Sequence, residues 1–298
     1  MSLGMRGAVG VLSLMNRVQR QTTNKAQRLA VIKVNQKPAD LPHSMYEKYG
    51  SYFRRVNGAN VIHLDPESAK YPNVLIFVHG GAYKTPMTLM HWGIVDRLMK
   101  ATSASALVPQ YPLPPNNTAS NTFAILDQVF AFAQQGATRK GGKIIIAGDC
   151  AGGGIVQGYI MSRRDRGLIT APHVLLFSPW LDATLANPEI NSIKDPLLNC
   201  EELRESGKLW AGAWDVKDPR VSPIYGTFEN LPNTLIFQGK RDLMYPDVRQ
   251  FASLAVGAGS PVKLTVAPSG FHTYVGTHYL PESRAAYKDI SLMVTGVS

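Results

Sequence analysis

The stretch Ile144-Ile145-Ile146-Ala147-Gly148-Asp149-Cys150-Ala151-Gly152-Gly153-Gly154 decides the fold of this chain. Its apolar start predicts a buried strand, and its glycines predict a tight turn into a helix. Cys150 stands at the centre of Gly-x-Cys-x-Gly, where such an elbow presents a nucleophile at the carboxyl edge of a sheet. The helix N-terminus favours a thiolate there. A buried inert cysteine is the other interpretation, whereas the spacing excludes a glycine-rich phosphate loop.

Short β-rich runs alternate with helix-period segments along most of the chain, which predicts a doubly wound α/β sheet. From the third run onward the runs are continuously apolar, as expected of parallel strands covered on both faces. Asn57–Gly58 separates the first two runs and predicts a hairpin, so the sheet should begin antiparallel. The runs are 51–56, 61–64, 74–78, 104–109, 143–147, 174–178, 234–238 and 262–267.

We interpret residues 1–298 as a single domain with one large core. The stretch between the sixth and seventh runs is too long for a simple crossover and contains several prolines. We expect residues 1–48 and about 182–230 to form a helical cap over one end of the sheet.

Composition excludes several classes of protein. The 45% hydrophobic content rules out wholesale disorder, and two cysteines in 298 residues cannot form a disulfide framework. The net charge of +10 arises mostly in residues 1–39, which hold seven basic residues and no acid; the remainder holds 24 basic and 21 acidic residues. That distribution argues against nucleic-acid binding. The longest uncharged stretch, 101–126, is interrupted by prolines and asparagines, so we expect no membrane insertion.

The basic N-terminal segment shows helical spacing of Val11, Leu14, Met15 and Val18. It lacks the apolar core of a secretory signal but resembles an amphipathic mitochondrial transit peptide. The preferred interpretation is a helix lying over the fold, and the expected location is cytoplasmic, with a mitochondrial one as the alternative.

A second motif, His79-Gly80-Gly81-Ala82-Tyr83, follows the third run. Acyl transfer needs N–H donors aimed at the developing oxyanion. We expect the backbone N–H groups of Gly80, Gly81 and Ala151 to form that oxyanion hole. His79 itself should pack and order this loop.

The remaining catalytic residues are expected after the seventh and eighth runs. Asp242 follows one and His272 the other, in the order nucleophile, acid, base. His272 would deprotonate Cys150, and Asp242 would orient His272. Asp247 is a competing acid, and His91 and His278 are left as bystanders.

These motifs, together with segments 108–113, 177–182 and 218–223, resemble the hormone-sensitive-lipase-like esterases of the α/β-hydrolase fold over about three-quarters of the chain. The resemblance implies hydrolysis of short-chain carboxylic esters, no metal or organic cofactor, and a pocket shaped by the cap. It also makes a homodimer an expectation by analogy. We expect the substrate to contact Tyr83, Met87, Asp149 and Trp180.

Two departures from the family pattern affect the prediction. Tyr111 is followed by Pro-Leu-Pro-Pro instead of Arg-Leu-Ala-Pro, and Cys150 replaces the family's serine. The cysteine is either a working nucleophile or a replacement that blocks the site. We therefore predict a carboxylesterase acting on acetyl-like esters. The alternatives are an amidase, formamidase or lactone hydrolase with the same triad, and an inactive ligand-binding protein.

Overall fold

The computed structural model describes residues 2–22, 37–66, 68 and 70–297, which form an eight-stranded sheet. The strands follow the apolar runs of the sequence: β1 Gly50–Val56, β2 Ala59–Asp65, β3 Asn73–Val78, β4 Ala104–Gln110, β5 Ile144–Asp149, β6 His173–Phe177, β7 Asn233–Gly239 and β8 Val262–Ala267.

The spatial order of the strands is β1-β2-β4-β3-β5-β6-β7-β8. Antiparallel pairing joins β1 to β2 and β2 to β4, and all later pairs are parallel. Asn57 and Gly58 both have positive φ, 45° and 84°, as a tight hairpin between β1 and β2 requires. The predicted, mostly parallel eight-stranded sheet with an antiparallel start is confirmed.

Helices cover both faces of the sheet. In chain order the described α-helices are α1 Leu3–Thr22, α2 His43–Lys48, α3 Leu89–Thr102, α4 Ala119–Lys140, α5 Cys150–Asp165, α6 Cys200–Ala211, α7 Tyr245–Gly257 and α8 Pro281–Thr295. Successive strand residues point to opposite faces, so Ile76 belongs to the core under α4, α5 and α7, and Leu75 and Phe77 belong to the core under α3 and α8. The central strands β3 and β5 are buried along their whole length, which explains why they are continuously apolar.

The N-terminal segment is helical, as its spacing indicates, but a different face is buried. Met5 and Val9 are buried in α1, and Gly4 lies close to Leu280 at the start of α8. Val11 is 59% exposed. Val11 therefore lies outside the buried side of α1, which includes Met5 and Val9. The side chains of Leu14, Met15 and Val18, and all of residues 23–36, lie outside the described residues.

Candidate active site

Cys150 lies at the sharp turn between β5 and α5. Its φ of 50° is in the left-handed region, which a side chain other than glycine rarely adopts. Glycines make this turn sterically feasible. A Cβ on Gly148 would lie 2.5 Å from the carbonyl oxygen of Gly152, and one on Gly152 would lie 2.1 Å from that of Val78. The elbow therefore holds the Cys150 thiol at the carboxyl edge of the sheet.

The loops after β7 and β8 bring Asp242 and His272 together. The Nδ1 atom of His272 lies 3.0 Å from Oδ2 of Asp242, which is fully buried, and Oδ1 of Asp242 accepts the N–H of Met244 at 2.9 Å. Burial alone would lower the pKa of His272, but the Asp242 carboxylate and the neighbouring Cys150 hold that pKa well above its ordinary value. Because Nδ1 faces Asp242, Nε2 is the nitrogen available to Cys150.

The competing acid, Asp247, belongs to another cluster. It is buried in the first turn of α7, where burial and the carboxylates of Asp182 and Glu189 raise its pKa to about 7. The acid that contacts His272 is thus Asp242, as expected from its position directly after β7.

Asp195 is a neighbour of this pair that sequence reasoning missed. Its Oδ2 accepts the N–H of Leu243 at 2.8 Å, and its Oδ1 accepts those of Leu197 and Leu198 at 2.7 and 2.9 Å. Burial, together with the carboxylate of Asp242, raises the pKa of Asp195. No local signal in Lys-Asp-Pro-Leu-Leu points to this contact, because Asp195 and Leu243 are 48 residues apart.

The loop after β3, residues 79–83, is called the oxyanion loop below after its predicted role. Its backbone is unusual at three consecutive residues. Gly81, Ala82 and Tyr83 have φ values of 119°, 52° and 58°. Within the described part of the chain, neither the N–H of Gly81 nor that of Ala82 donates a hydrogen bond. Such oriented and unused donors at the end of a strand suit an oxyanion.

Gly80 has a different role from the predicted one. Its N–H donates to Oδ1 of Asp149 at 2.9 Å, so it is not available to a substrate. Its lack of a side chain is still essential, because a Cβ there would lie 2.6 Å from Oδ2 of Asp149 and 2.8 Å from the Cβ of Cys150. Gly80 therefore lets the oxyanion loop approach the elbow, and its assignment as an oxyanion donor was wrong.

Asp149, next to Cys150, is almost fully buried and offers no surface to a substrate. Its Oδ2 lies 3.4 Å from Nε2 of His91, and both side chains are at most 4% exposed. The Nδ1 of His91 accepts the N–H of Thr88 at 2.9 Å, so Nε2 carries the hydrogen that points to Asp149. Burial would raise the pKa of Asp149, but His91 and the N–H of Gly80 hold it below its ordinary value. Asp149 as a substrate contact and His91 as a bystander were both wrong.

His79 and Tyr111 hold the other side of the oxyanion loop. The Nδ1–H of His79 donates to the carbonyl of Gly80 at 2.6 Å, and the Tyr111 hydroxyl donates to the carbonyl of His79 at 2.8 Å. The two rings are stacked with centroids 4.5 Å apart. Burial lowers the pKa of His79 to about 4, so His79 is neutral and orders the loop.

Three predicted substrate contacts, Tyr83, Met87 and Trp180, are buried in packed surroundings. Each is at most 2% exposed. Tyr83 stacks between Trp180 and Trp210, with centroid distances of 5.1 and 4.5 Å, and Trp210 comes from the insertion. These aromatic rings pack on the buried side of the elbow and the oxyanion loop. They expose almost no surface to a substrate.

Among the described residues, no cluster of His, Cys, Asp and Glu side chains has the arrangement of a metal site. None of the described helices is long and apolar enough to cross a membrane.

Comparisons with known proteins agree with this geometry. A family model described as the alpha/beta hydrolase fold matches residues 75–276. An acetyl-hydrolase of Streptomyces hygroscopicus is 29% identical over 218 residues, covering 71% of this chain and 72% of the relative. An esterase of Acinetobacter venetianus is 26% identical and covers 77% of both chains. The crystal structure of a hormone-sensitive lipase from a metagenome library superposes with a TM-score of 0.79 at 22% identity, covering 99% of each chain.

The family match spans the sheet from β3 to the loop that carries His272, and so includes the elbow, the oxyanion loop and both partners of the nucleophile. This chain therefore belongs to the α/β-hydrolase fold family.

Proposed function

We propose that this protein hydrolyses short-chain, acetyl-like carboxylic esters through a covalent acyl-enzyme on Cys150. The observation that carries the proposal is the position of His272, which contacts Asp242 through Nδ1 and interacts with Cys150 at the elbow. Its relatives include an acetyl-hydrolase and an esterase, which supports a carboxylesterase-type hydrolase.

In the acylation step, the proton of the Cys150 thiol passes to Nε2 of His272, whose raised pKa favours the imidazolium form, and Sγ attacks the ester carbonyl carbon. The tetrahedral intermediate collapses when the bond to the alcohol oxygen breaks and His272 gives its proton to that oxygen. The alcohol leaves, and the acyl group remains on Sγ as a thioester. Asp242 holds the imidazole in the correct tautomer and stabilises the imidazolium that forms.

In the deacylation step, His272 takes a proton from water as the water oxygen attacks the thioester carbon. The Sγ–C bond breaks, the carboxylic acid leaves, and the proton returns to Sγ. Atoms and charge balance over the two steps without a further reactant.

The developing oxyanion needs fixed N–H donors in both steps. We assign this role to the N–H groups of Gly81 and Ala82 in the oxyanion loop and to that of Ala151 in the first turn of α5. The Ala151 N–H belongs to the orphan donors that a helix N-terminus presents. Asp149 accepts the N–H of Gly80 and so holds the oxyanion loop close to the elbow.

The limit on substrate size is assigned to a cap made from residues 1–48 and about 182–230. Trp210 supports this role, since it anchors the insertion on Tyr83 directly behind the oxyanion loop. An enclosed pocket would favour acetyl over long acyl chains.

The test is hydrolysis of p-nitrophenyl acetate by the protein and by its Cys150→Ser and Cys150→Ala variants. We expect the alanine form to lose activity and the cysteine form to acquire one acetyl group on Cys150, detected by mass spectrometry of the quenched enzyme. If only the serine form turns over, Cys150 blocks an esterase site. If neither form is acylated or turns over, the proposal is wrong and ligand binding on a hydrolase scaffold replaces it.

A chain-length series tests the acyl preference. We expect kcat/KM to fall by about tenfold or more between p-nitrophenyl acetate and the octanoate ester, because a longer chain must displace packed cap residues. An increase in kcat/KM with acyl-chain length would contradict the acetyl preference but would not contradict the proposed triad.

A further inference from the structure

A cavity lies between α4 and the antiparallel end of the sheet. Its volume is about 110 Å³, and it opens to solvent. Alternate residues of β1 and β2 point into it, together with one face of α4 at helical spacing. The lining residues used below are Arg54, His63, Asp65, Phe132, Arg139 and Lys140. None of them belongs to the candidate active site.

The charge of this cavity, called the basic cavity below, is unbalanced. Nζ of Lys140 lies 2.8 and 2.9 Å from the two carboxylate oxygens of Asp65, so these two charges offset each other. Among the described residues, neither Arg54 nor Arg139 forms an ion pair. The cavity therefore holds two exposed guanidinium groups that have no ion-pair partner among the described residues, since its one carboxylate, Asp65, is paired with Lys140.

Arg54 is an exposed residue of β1 whose guanidinium is oriented by an aromatic ring and not by a helix end. Arg139 and Lys140 lie in the last turn of α4, where cations also offset the helix dipole. Arg54 comes from β1 and gains nothing from that dipole. Its guanidinium stacks on the ring of Phe132 at 4.2 Å, and this contact orients its N–H groups.

His63 supplies a buried polar atom that needs a partner. The residue is 9% exposed, and within the described residues its Nδ1 has no hydrogen-bond partner. Burial lowers the pKa of His63 to about 4; Asp65 opposes this effect, and Lys140, Arg54 and Arg139 add to it. Buried polar atoms are normally satisfied by protein, water or ligand.

We propose that the basic cavity binds a phosphate group. The two arginine forks match the paired oxygens of a phosphate, and the neutral imidazole of His63 can donate a further hydrogen bond. The volume corresponds to about three or four water molecules, so it admits the phosphate alone and leaves any attached group in solvent. The phosphate comes either from free inorganic phosphate or from a small phosphate monoester.

The experiment follows the imidazole resonances of His63 by NMR in the full-length protein during titration with inorganic phosphate or glycerol phosphate at constant ionic strength. We expect a saturable shift and a rise in the pKa of His63, because a bound anion favours the imidazolium form. Equal affinities would identify free phosphate as a sufficient ligand, and tighter glycerol phosphate binding would identify a monoester; either result supports the proposal.

Matched variants locate the binding site. Arg54→Gln combined with Arg139→Gln should raise Kd for phosphate by about tenfold or more, because two charge-assisted contacts are lost. Arg55→Gln removes an equal charge from the opposite face of β1 and should leave Kd within about twofold. No saturable shift, an equal response to chloride, or unchanged affinity in the double variant would overturn the proposal.

Discussion

At the scale of single residues, Asp195 is the residue whose role in the candidate site is most easily tested. It accepts the N–H of Leu243, next to Asp242. We expect Asp195→Asn to lower kcat/KM for p-nitrophenyl acetate by about tenfold or more, because an amide NH₂ cannot accept that hydrogen and small displacements of catalytic groups are costly. Loss of the Asp195 charge should also lower the pKa of His272, so the limb of the pH–rate profile governed by His272 should move to lower pH.

Asp215→Asn is the matched control for this variant. Oδ1 of Asp215 accepts the N–H of Lys217 at 2.7 Å, the same local turn that Asp195 makes with Leu197, but Asp215 lies on the surface of the insertion. The control should keep the wild-type rate and pH profile. If Asp195→Asn keeps them as well, Asp195 has no part in positioning the triad.

At the scale of elements, the glycines of α5 determine how closely this helix approaches its neighbours. A Cβ on Gly154 would lie 2.2 Å from the carbonyl oxygen of Trp180, after β6. We expect Gly154→Ala to lower the free energy of unfolding by about 3 kcal/mol, since backbone cannot retreat cheaply in a packed core. A Cβ on Gly93 in α3 would meet nothing within 4 Å, so Gly93→Ala should instead raise the free energy of unfolding by up to about 1 kcal/mol. Urea denaturation measures both changes, and equal effects would contradict the packing argument.

At the scale of the whole molecule, Asp247 makes stability depend on pH. The folded state keeps its proton up to about pH 7, whereas the unfolded chain releases it near pH 4. The unfolded state therefore binds fewer protons in this window, and the free energy of unfolding falls as pH rises from about 4 to 7. In Asp247→Asn, the free energy of unfolding should no longer fall by up to about 4 kcal/mol as the pH rises from about 4 to 7.

Thermal or urea unfolding at several pH values tests this prediction. Asp289→Asn is a suitable control, because Asp289 forms only a surface ion pair with Lys263 at 3.4 Å. The control should follow the wild-type pH dependence. A wild-type slope retained in Asp247→Asn would show that other groups cause it.

Sequence reasoning succeeds in this protein where the signal is local. The apolar run that forms β8 has the same bounds in the sequence interpretation and in the structure, residues 262–267. The elbow was recognisable because its glycines and Cys150 must be adjacent in sequence to make the turn. Asp242 and His272 were found because parallel strands end at one edge of the sheet, so residues just after them meet.

Sequence reasoning fails where a role depends on which groups meet across the fold. Gly80 looked like an oxyanion donor, but its N–H is taken by Asp149, 69 residues away. His91 looked incidental until α3 placed it against Asp149. Val11 fits the helical spacing of its segment, but it is exposed, whereas Met5 and Val9 are buried.

The sequence by itself determined the sheet, the elbow and the order of the triad, because periodicity and turn chemistry act between neighbours along the chain. Only the tertiary structure decided which N–H groups are free, which groups Asp149 and Asp195 contact and which cations share the basic cavity. Those choices depend on distances of a few ångströms between residues that are far apart in sequence, and hydrogen bonds and buried charges change sharply over such distances.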